Sequence, residues 1–373
     1  MNFGFTEEQD ILRDQVRKLL NQESSMPDVR RISATQCGYD KELWQKAADL
    51  GWLGLTTPEA QGGSGLNWVD LVVLLEEQGR GLHPSPFISN TLAITAITEF
   101  GNDAQKQRFI PSLINGTNIG TLAFLEESDQ LDPAAIQLPG HEEGDGLVLD
   151  GQKHFVSDAA QANIFIVACR SSADQSIKLV VAESGDQVST NNCVTMDASK
   201  REGYVNFDKY YVPAENILAE VTDGGAAVSR LNDLGAIAVT AEMIGSAEGA
   251  MSITNQYAKD RTQFGSQIGR YQGVKHPLAE MYVDVESYKS LLYYGAWTVT
   301  ESPDEVARYA SLAKAYASEA FPKLGINCVQ LHGAIGYTAE YDIQLFLKRS
   351  KWARPKFGDS DFHYDRVATL GGL

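Results

Sequence analysis

From about residue 220 onward the chain is written almost wholly in a helical period. Ile237, Ala241, Ile244, Ala247 and Met251 recur at spacings of 4, 3, 3 and 4, and Leu278, Met281, Val285, Tyr288 and Leu292 at 3, 4, 3 and 4. Each set draws one apolar stripe along a helix too long and too one-sided to stand alone, so the stripes must be buried against other helices. Ser302-Pro303-Asp304-Glu305 supplies an N-cap, a proline at N1 and an acid at N3 for another long helix. Pro322 falls inside the helical run from Val306 to Val329, and a kink or break is expected there. Stripes of this kind fit an antiparallel four-helix bundle over residues 219–373.

The two stretches before it have different periods. Thr6-Glu7-Glu8-Gln9 reads as a capping box, and Leu12, Val16 and Leu19 follow at helical spacing. Glu42-Leu43-Trp44 and Trp68 to Leu75 also read as helix, separated by the loop chemistry of Thr57-Pro58-Glu59-Ala60-Gln61-Gly62-Gly63-Ser64-Gly65. Residues 1–117 are therefore expected to be a helical domain. From about Ile119 short β-branched runs take over: Ile164 to Val167, Ile177 to Val181, and Tyr204 to Phe207 before Val212-Pro213. Gly, Asp, Asn and Ser punctuate them, which predicts a small β-domain over 118–218. The fold class is α+β, mainly α, with no internal repeat.

With 43% hydrophobic and 21% charged residues, 373 residues can bury a sizeable core. A net charge of −18 argues against nucleic acid or an anionic membrane as the main partner, because both repel an acidic surface. Cys37, Cys169, Cys193 and Cys328 show no CxxC spacing, so neither a disulfide framework nor a zinc site is suggested, and reduced thiols in a cytoplasm fit. Met1 to Phe5 lack a basic region followed by an apolar one, and no apolar run approaches the roughly 18 residues of a membrane span.

Two segments carry chemistry. Asp260-Arg261-Thr262-Gln263-Phe264-Gly265-Ser266-Gln267-Ile268-Gly269 is followed by Tyr271 and Gln272, and Gln330-Leu331-His332-Gly333-Ala334-Ile335-Gly336-Tyr337-Thr338 ends near Glu340. With Gly51-Trp52-Leu53-Gly54-Leu55 and Val205-Asn206-Phe207 as weaker support, the chain resembles the acyl-CoA dehydrogenase family over essentially its whole length. The ending Phe357-Gly358-Asp359 resembles subunits of heteromeric dehydrogenases that act on bulky, steroid-derived acyl-CoAs.

The resemblance implies FAD as cofactor. A dinucleotide pyrophosphate needs cationic and amide donors, and Arg261 offers a bidentate fork where glycines let the backbone come close. Its alternative is a surface ion pair with Asp260. By carry-over, Arg261, Gln263, Phe264, Tyr271 and Gln272 hold flavin across a subunit interface, and Gln330, Leu331, His332, Gly333 and Ala334 hold its distal end. Phe155, Val156 and Ser157, in Gly151 to Asp158, match the segment that stacks an aromatic beside the isoalloxazine and donates a hydroxyl near its reactive nitrogen; the plain alternative for Phe155 is strand core. Asp233 and Gly358 match substrate-binding positions. In Leu122 to Gln130, Leu125 replaces the family's threonine and no glycine turn follows.

Taking a proton from the carbon beside a thioester carbonyl requires a carboxylate within hydrogen-bond reach. Phe357 stands where one branch of the family has its glutamate, and Gly235 where another branch has it. Asp233 and Asp359 are the acids that could be displaced bases, each with a capping or surface role as the plainer alternative. His276 and His332 read as hydrogen-bonded structural residues, and His363, beside Asp365 and Arg366, as part of a solvated helix. Catalytic residues are thus left unassigned.

Three functions follow. A self-sufficient dehydrogenase would remove the α-proton, pass the β-hydrogen to flavin as hydride and hand electrons to an electron-transfer flavoprotein or similar acceptor. A subunit of a heteromeric complex would lend Arg261 and Phe264 to a flavin whose base sits on another chain. A non-redox protein of the same fold would bind an acyl-CoA or a partner only. Because the Arg261 and Gln330 segments surround one flavin only when subunits pack, a homo- or hetero-tetramer is expected.

Overall fold

The computed structural model describes residues 5–372. In chain order the helices and strands are α1 (Glu7–Glu23), α2 (Met26–Ser33), α3 (Lys41–Asp49), α4 (Trp68–Arg80), α5 (Phe87–Phe100), α6 (Asp103–Ile114), β1 (Gly120–Ala123), β2 (Pro139–Glu143), β3 (Gly146–Ser157), β4 (Ile164–Ser171), β5 (Ile177–Glu183), β6 (Val188–Asn192), β7 (Glu202–Val212), α7 (Gly224–Asp260), β8 (Thr262–Gln263), β9 (Ser266–Gln267), α8 (Gln272–Glu301), α9 (Val306–His332), α10 (Ile343–Ala353) and α11 (Ser360–Gly371). By compactness they group into two units. One holds the described residues up to 31, residues 67–83 and the described residues from 236 on, the other residues 32–66 and 84–235, so α7 contributes to both.

The β-unit is built on β4. One edge of this strand pairs antiparallel with β5 along its length. The other pairs parallel with β1 over Ile164 to Val167 and with β2 at Arg170 and Ser171. From β2 the sheet continues through β3 and β7 to β6. Both faces of β4 are covered, which is why its sequence is an unbroken apolar run and not an alternating one. Ile164, Ile166 and Ala168 join a core with Ile97, Phe109 and Leu113 of α5 and α6 and with Leu231 of α7. The residues between them, Phe165, Val167 and Cys169, join a second core with Leu149, Val205 and Phe207 of β3 and β7. The register of β3 on β7 shifts between Lys153 and Val156. That irregularity places Phe155 at φ +51 and leaves its ring 38% exposed, so Phe155 is not strand core.

In the helical unit the expected stripes are buried: Ile237, Ala241, Ile244 and Ala247 on α7, and Met281, Val285, Tyr288 and Leu292 on α8. The bundle also takes in α1 and α4. The capping box at Thr6 forms as expected, with Gln9 reciprocating. Arg17 binds Glu77 of α4 through two parallel bonds of 2.8 and 2.7 Å, and α4 lies so close to α7 that a Cβ on Gly245 would fall 1.8 Å from the Glu76 carbonyl oxygen.

Two local expectations are corrected. The helix containing Pro322 is unbroken from Val306 to His332; Phe321, Pro322 and Leu324 are all buried, and packing around the proline holds the helix through the lost hydrogen bond. Ser302 caps nothing with its side chain. A short 3₁₀ turn, Pro303–Glu305, leads into α9, and the Glu305 amide donates to the Ser302 carbonyl. All four cysteines are free thiols, Cys169 and Cys328 being buried. No described helix is long and apolar enough to cross a membrane, and no described cluster of His, Cys, Asp and Glu would hold a metal.

Candidate functional site: a dinucleotide-binding rim and a turn without its acid

The segment after α7 is a tight hairpin. Thr262 and Gln263 pair with Ser266 and Gln267, and Phe264 (φ +54) and Gly265 (φ +76) form a two-residue turn with both φ angles positive, the geometry that matches strand twist. Tyr271 steadies it by donating to the carbonyls of Gln263 and Phe264 at 3.2 and 3.4 Å. Phe264 is a non-glycine residue held at positive φ and is 94% exposed, with its ring edge-on to Tyr271 at 6.4 Å. Asp260 is bound by Gln256. Arg261 forms no ion pair or side-chain hydrogen bond among the described residues, so the Asp260–Arg261 ion pair is absent. An uncommitted guanidinium beside an exposed aromatic ring, with Gln263 and Gln272 exposed nearby, suits an anionic dinucleotide.

The Gln330 segment is the end of α9 and the turn beyond it. Gln330, Gly333 and Ala334 are exposed and Leu331 is half-buried. Gly333 has φ +63 with open space where a Cβ would stand, so the backbone can be approached closely. His332 is turned inward. Its Nδ1 lies 2.7 Å from the Cys328 carbonyl, to which it donates, and its ring stacks on Tyr257 at 4.4 Å. The Tyr257 hydroxyl donates to the His332 carbonyl, so the last turns of α7 and α9 are fastened together just before the two segments that were singled out. Burial pushes the His332 imidazole below its ordinary value, the Cys328 carbonyl opposing, in keeping with a structural residue.

In the β-unit, Phe155 is exposed, Val156 is buried, and the Ser157 hydroxyl donates to Glu202 at 3.2 Å. That proton is already committed, so Ser157 offers a ligand an acceptor. The loop after β1 is well tied. Glu126 accepts from the amides of Gln137 and Leu138 and from Lys153, and the His154 amide donates to the Leu125 carbonyl. Lys153 and Glu126 escape a sequence reading because a charged pair 27 residues apart carries no local signal.

The turn between α10 and α11 holds Phe357 (φ +56) and Gly358 (φ +101). Asp359 is the N-cap of α11, accepting from the Phe362 amide at 3.0 Å. Asp233 is 4% exposed inside α7, neither a cap nor a surface acid. His363, expected on a solvated face, is buried. Its Nε2 donates to the Phe357 carbonyl at 2.9 Å, and burial, with Lys314 nearby, pushes its pKa down to about 3. Asp361, Asp365 and Arg366 mark the outer face of α11, and His363 falls on the inner one. His276 is exposed.

Residues 6–117 match the model of the acyl-CoA dehydrogenase N-terminal domain and residues 223–370 that of the C-terminal domain. Acyl-CoA dehydrogenase IpdE2 of Mycolicibacterium smegmatis is 30% identical over 92% of this chain and 93% of its own. The chain belongs to the acyl-CoA dehydrogenase family. Among solved structures, the Tcur3481-Tcur3483 steroid ACAD superposes with a TM-score of 0.89 at 27% identity over 98% of both chains. Butyryl-CoA dehydrogenase from Megasphaera elsdenii does so with a TM-score of 0.92 at 25% identity over 100% of both. As an acyl-CoA dehydrogenase the chain is an FAD-dependent CH–CH oxidoreductase by family.

Proposed function

We propose that this chain is the flavin-lending subunit of a heteromeric acyl-CoA dehydrogenase, with the catalytic carboxylate on a partner chain. The observation that carries the reading is the pairing of an exposed, uncommitted Arg261 and an exposed Phe264 with Phe357 and Gly235 at the two positions where the family resemblance places a base, while Asp359 is occupied in capping α11. Bound FAD supplies the hydride acceptor. Arg261 would neutralise the pyrophosphate, Phe264 would cover an aromatic face, Gln330, Leu331, Gly333 and Ala334 would border the distal end with His332 holding that turn from inside, and Phe155 and Ser157 would flank the isoalloxazine. Asp233 and Gly358 would border the acyl-CoA.

A bulky, steroid-derived acyl group is the proposed substrate, supported by the likeness to the steroid ACAD and by Phe357 in place of an acid. An electron-transfer flavoprotein or similar acceptor would take the electrons, and two copies each of this chain and its partner would form a tetramer. The test is co-purification with the product of the neighbouring gene. The reading expects weak or absent flavin in the chain alone and a yellow complex bleached by an acyl-CoA. A chain yellow and fully active by itself would overturn it, and Asp233 would then be the base to examine; a complex that stays colourless would leave only the non-redox alternative.

A further inference from the structure

Lys314 lies on α9, fully buried, in a helix whose neighbours at Ala310, Ala313 and Ala317 are apolar. Its ammonium has three donors and three oxygens around it: the Ser318 hydroxyl one turn along at 2.8 Å, the Arg354 carbonyl at 2.8 Å and the Gly358 carbonyl at 2.7 Å. The last two belong to the start and end of the turn that holds Phe357. Arg354 is also the C-cap of α10, where a cation complements the helix dipole. His363 takes the Phe357 carbonyl from α11. The turn has little slack of its own: Phe357 and Gly358 are both at positive φ, and a Cβ on Gly358 would fall 2.5 Å from the Phe362 ring and 2.7 Å from His363 Nε2.

We propose that Lys314 is the positioning residue of the Phe357–Gly358 turn, holding Phe357 and the Gly358 amide in place by binding the carbonyls on either side of them. The inference deepens the dehydrogenase reading, resting on it only in taking this turn to border the acyl-CoA. Burying a lysine is costly, and neither an exposed position nor an apolar side chain would satisfy these carbonyls.

Protonation of Lys314 gives the inference a signature. Burial pushes its pKa down to about 7, with Asp359 raising it and Arg354 lowering it. The other charged groups around the turn are Glu319, which meets Arg354 and Ser360, and Lys356 beside the Phe357 ring; on α8, Asp284 is bound by Tyr316 and Lys323. His363 is neutral throughout the neutral range. Opening the turn returns Lys314 to water, where its pKa is higher, so the open form binds more protons above pH 7. Opening therefore becomes harder as pH rises from 7 toward the ordinary lysine value.

Hydrogen exchange at the Gly358 amide, which donates to the Pro355 carbonyl, reads this directly in the full chain. After correction for intrinsic exchange, wild-type protection is expected to rise about tenfold from pH 7 to 8.5. In Lys314→Met, protection at pH 7 falls about tenfold and its pH dependence disappears, while the Ala241 and Ile244 amides of α7 change far less. A flat wild-type profile, or a variant protected within about twofold of wild type, would overturn the proposal. Should the variant not fold, the wild-type profile alone decides. Neither measurement needs flavin or thioester, so failure of the dehydrogenase reading shows separately as a colourless complex.

Discussion

Lys153 Nζ lies 2.7 Å from Glu126 Oε1, with the lysine side chain fully removed from water. The pair fastens the loop after β1 to the strand that presents Phe155. Burial pushes the Glu126 carboxyl up, but Lys153 and the amides of Leu138 and Gln137 outweigh it and leave it below its ordinary value. Such a carboxylate adds stability above its unfolded-state pKa, and the gain fades as pH falls through the folded one. Lys153→Met should cost ~3–5 kcal/mol at pH 7, because it strands a partly buried charge. Adding Glu126→Gln should recover part of the loss. Chemical unfolding of the four chains of this double-mutant cycle is the check, and the acid limb of stability should flatten in the single variant.

Glu76 carries the opposite sign. It is buried between α1, α4 and α8, accepting from Tyr293 at 2.5 Å and Arg13 at 3.2 Å. Burial raises its pKa to about 7, with Lys289, Tyr293 and Arg13 opposing and Glu248 reinforcing. The folded chain therefore binds more protons than the unfolded one between about pH 4.5 and 7, and stability falls as pH climbs through that window. Glu76→Gln keeps an acceptor for Tyr293 and Arg13 without the charge. It should change little at pH 4.5 and stabilise on the order of 3 kcal/mol at pH 8, read from unfolding midpoints at the two pH values.

What the sequence made legible was whatever repeats locally. Stripes on α7 and α8, the Thr6 capping box and the β-branched runs of β4 and β5 each express a preference within one element, and each formed as expected. What stayed illegible depends on contacts between distant residues. Pro322 breaks a helix on propensity, yet burial keeps α9 whole. His363 sits among Asp361, Asp365 and Arg366, and only the helix phase decides that it points inward. Lys153 and Lys314 give no local signal of burial, because Glu126 lies 27 residues from the first and the Arg354 and Gly358 carbonyls 40 and 44 residues from the second. At the candidate site, Arg261 and Phe264 were legible as a motif, whereas Tyr257, which fastens α7 to His332, was not.

The hairpin separates function from folding. Phe264 occupies a positive φ that glycine adopts without cost, and its ring is exposed, so Phe264→Gly should leave unfolding unchanged or raise stability by up to about 1 kcal/mol. The same change should weaken flavin retention about tenfold, since a stacked ring contributes about 1 kcal/mol or more. Arg261→Lys should also leave unfolding unchanged and cost about tenfold or more, because a lysine cannot make the bidentate contact. Flavin absorbance after ultrafiltration of the complex at graded FAD reads both. Equal retention in either variant would remove that residue from the cofactor set.

Placing an acid at Phe357 is the most direct trial of the proposal that this chain lacks a base of its own. Phe357 is half-buried with its carbonyl held by His363, so Phe357→Glu changes the side chain without disturbing the hydrogen bond that fixes the backbone. A carboxylate placed there should speed bleaching of bound flavin about 10²–10⁴-fold over the wild-type chain alone. Anaerobic mixing of the two chains, each kept in excess FAD, with butyryl-CoA and with a steroid side-chain CoA thioester measures it. A wild-type chain that bleaches alone as fast as the variant would show that the acid was never missing. Asp233, buried on α7 two residues before Gly235, would then be the carboxylate whose change to asparagine silences the reaction.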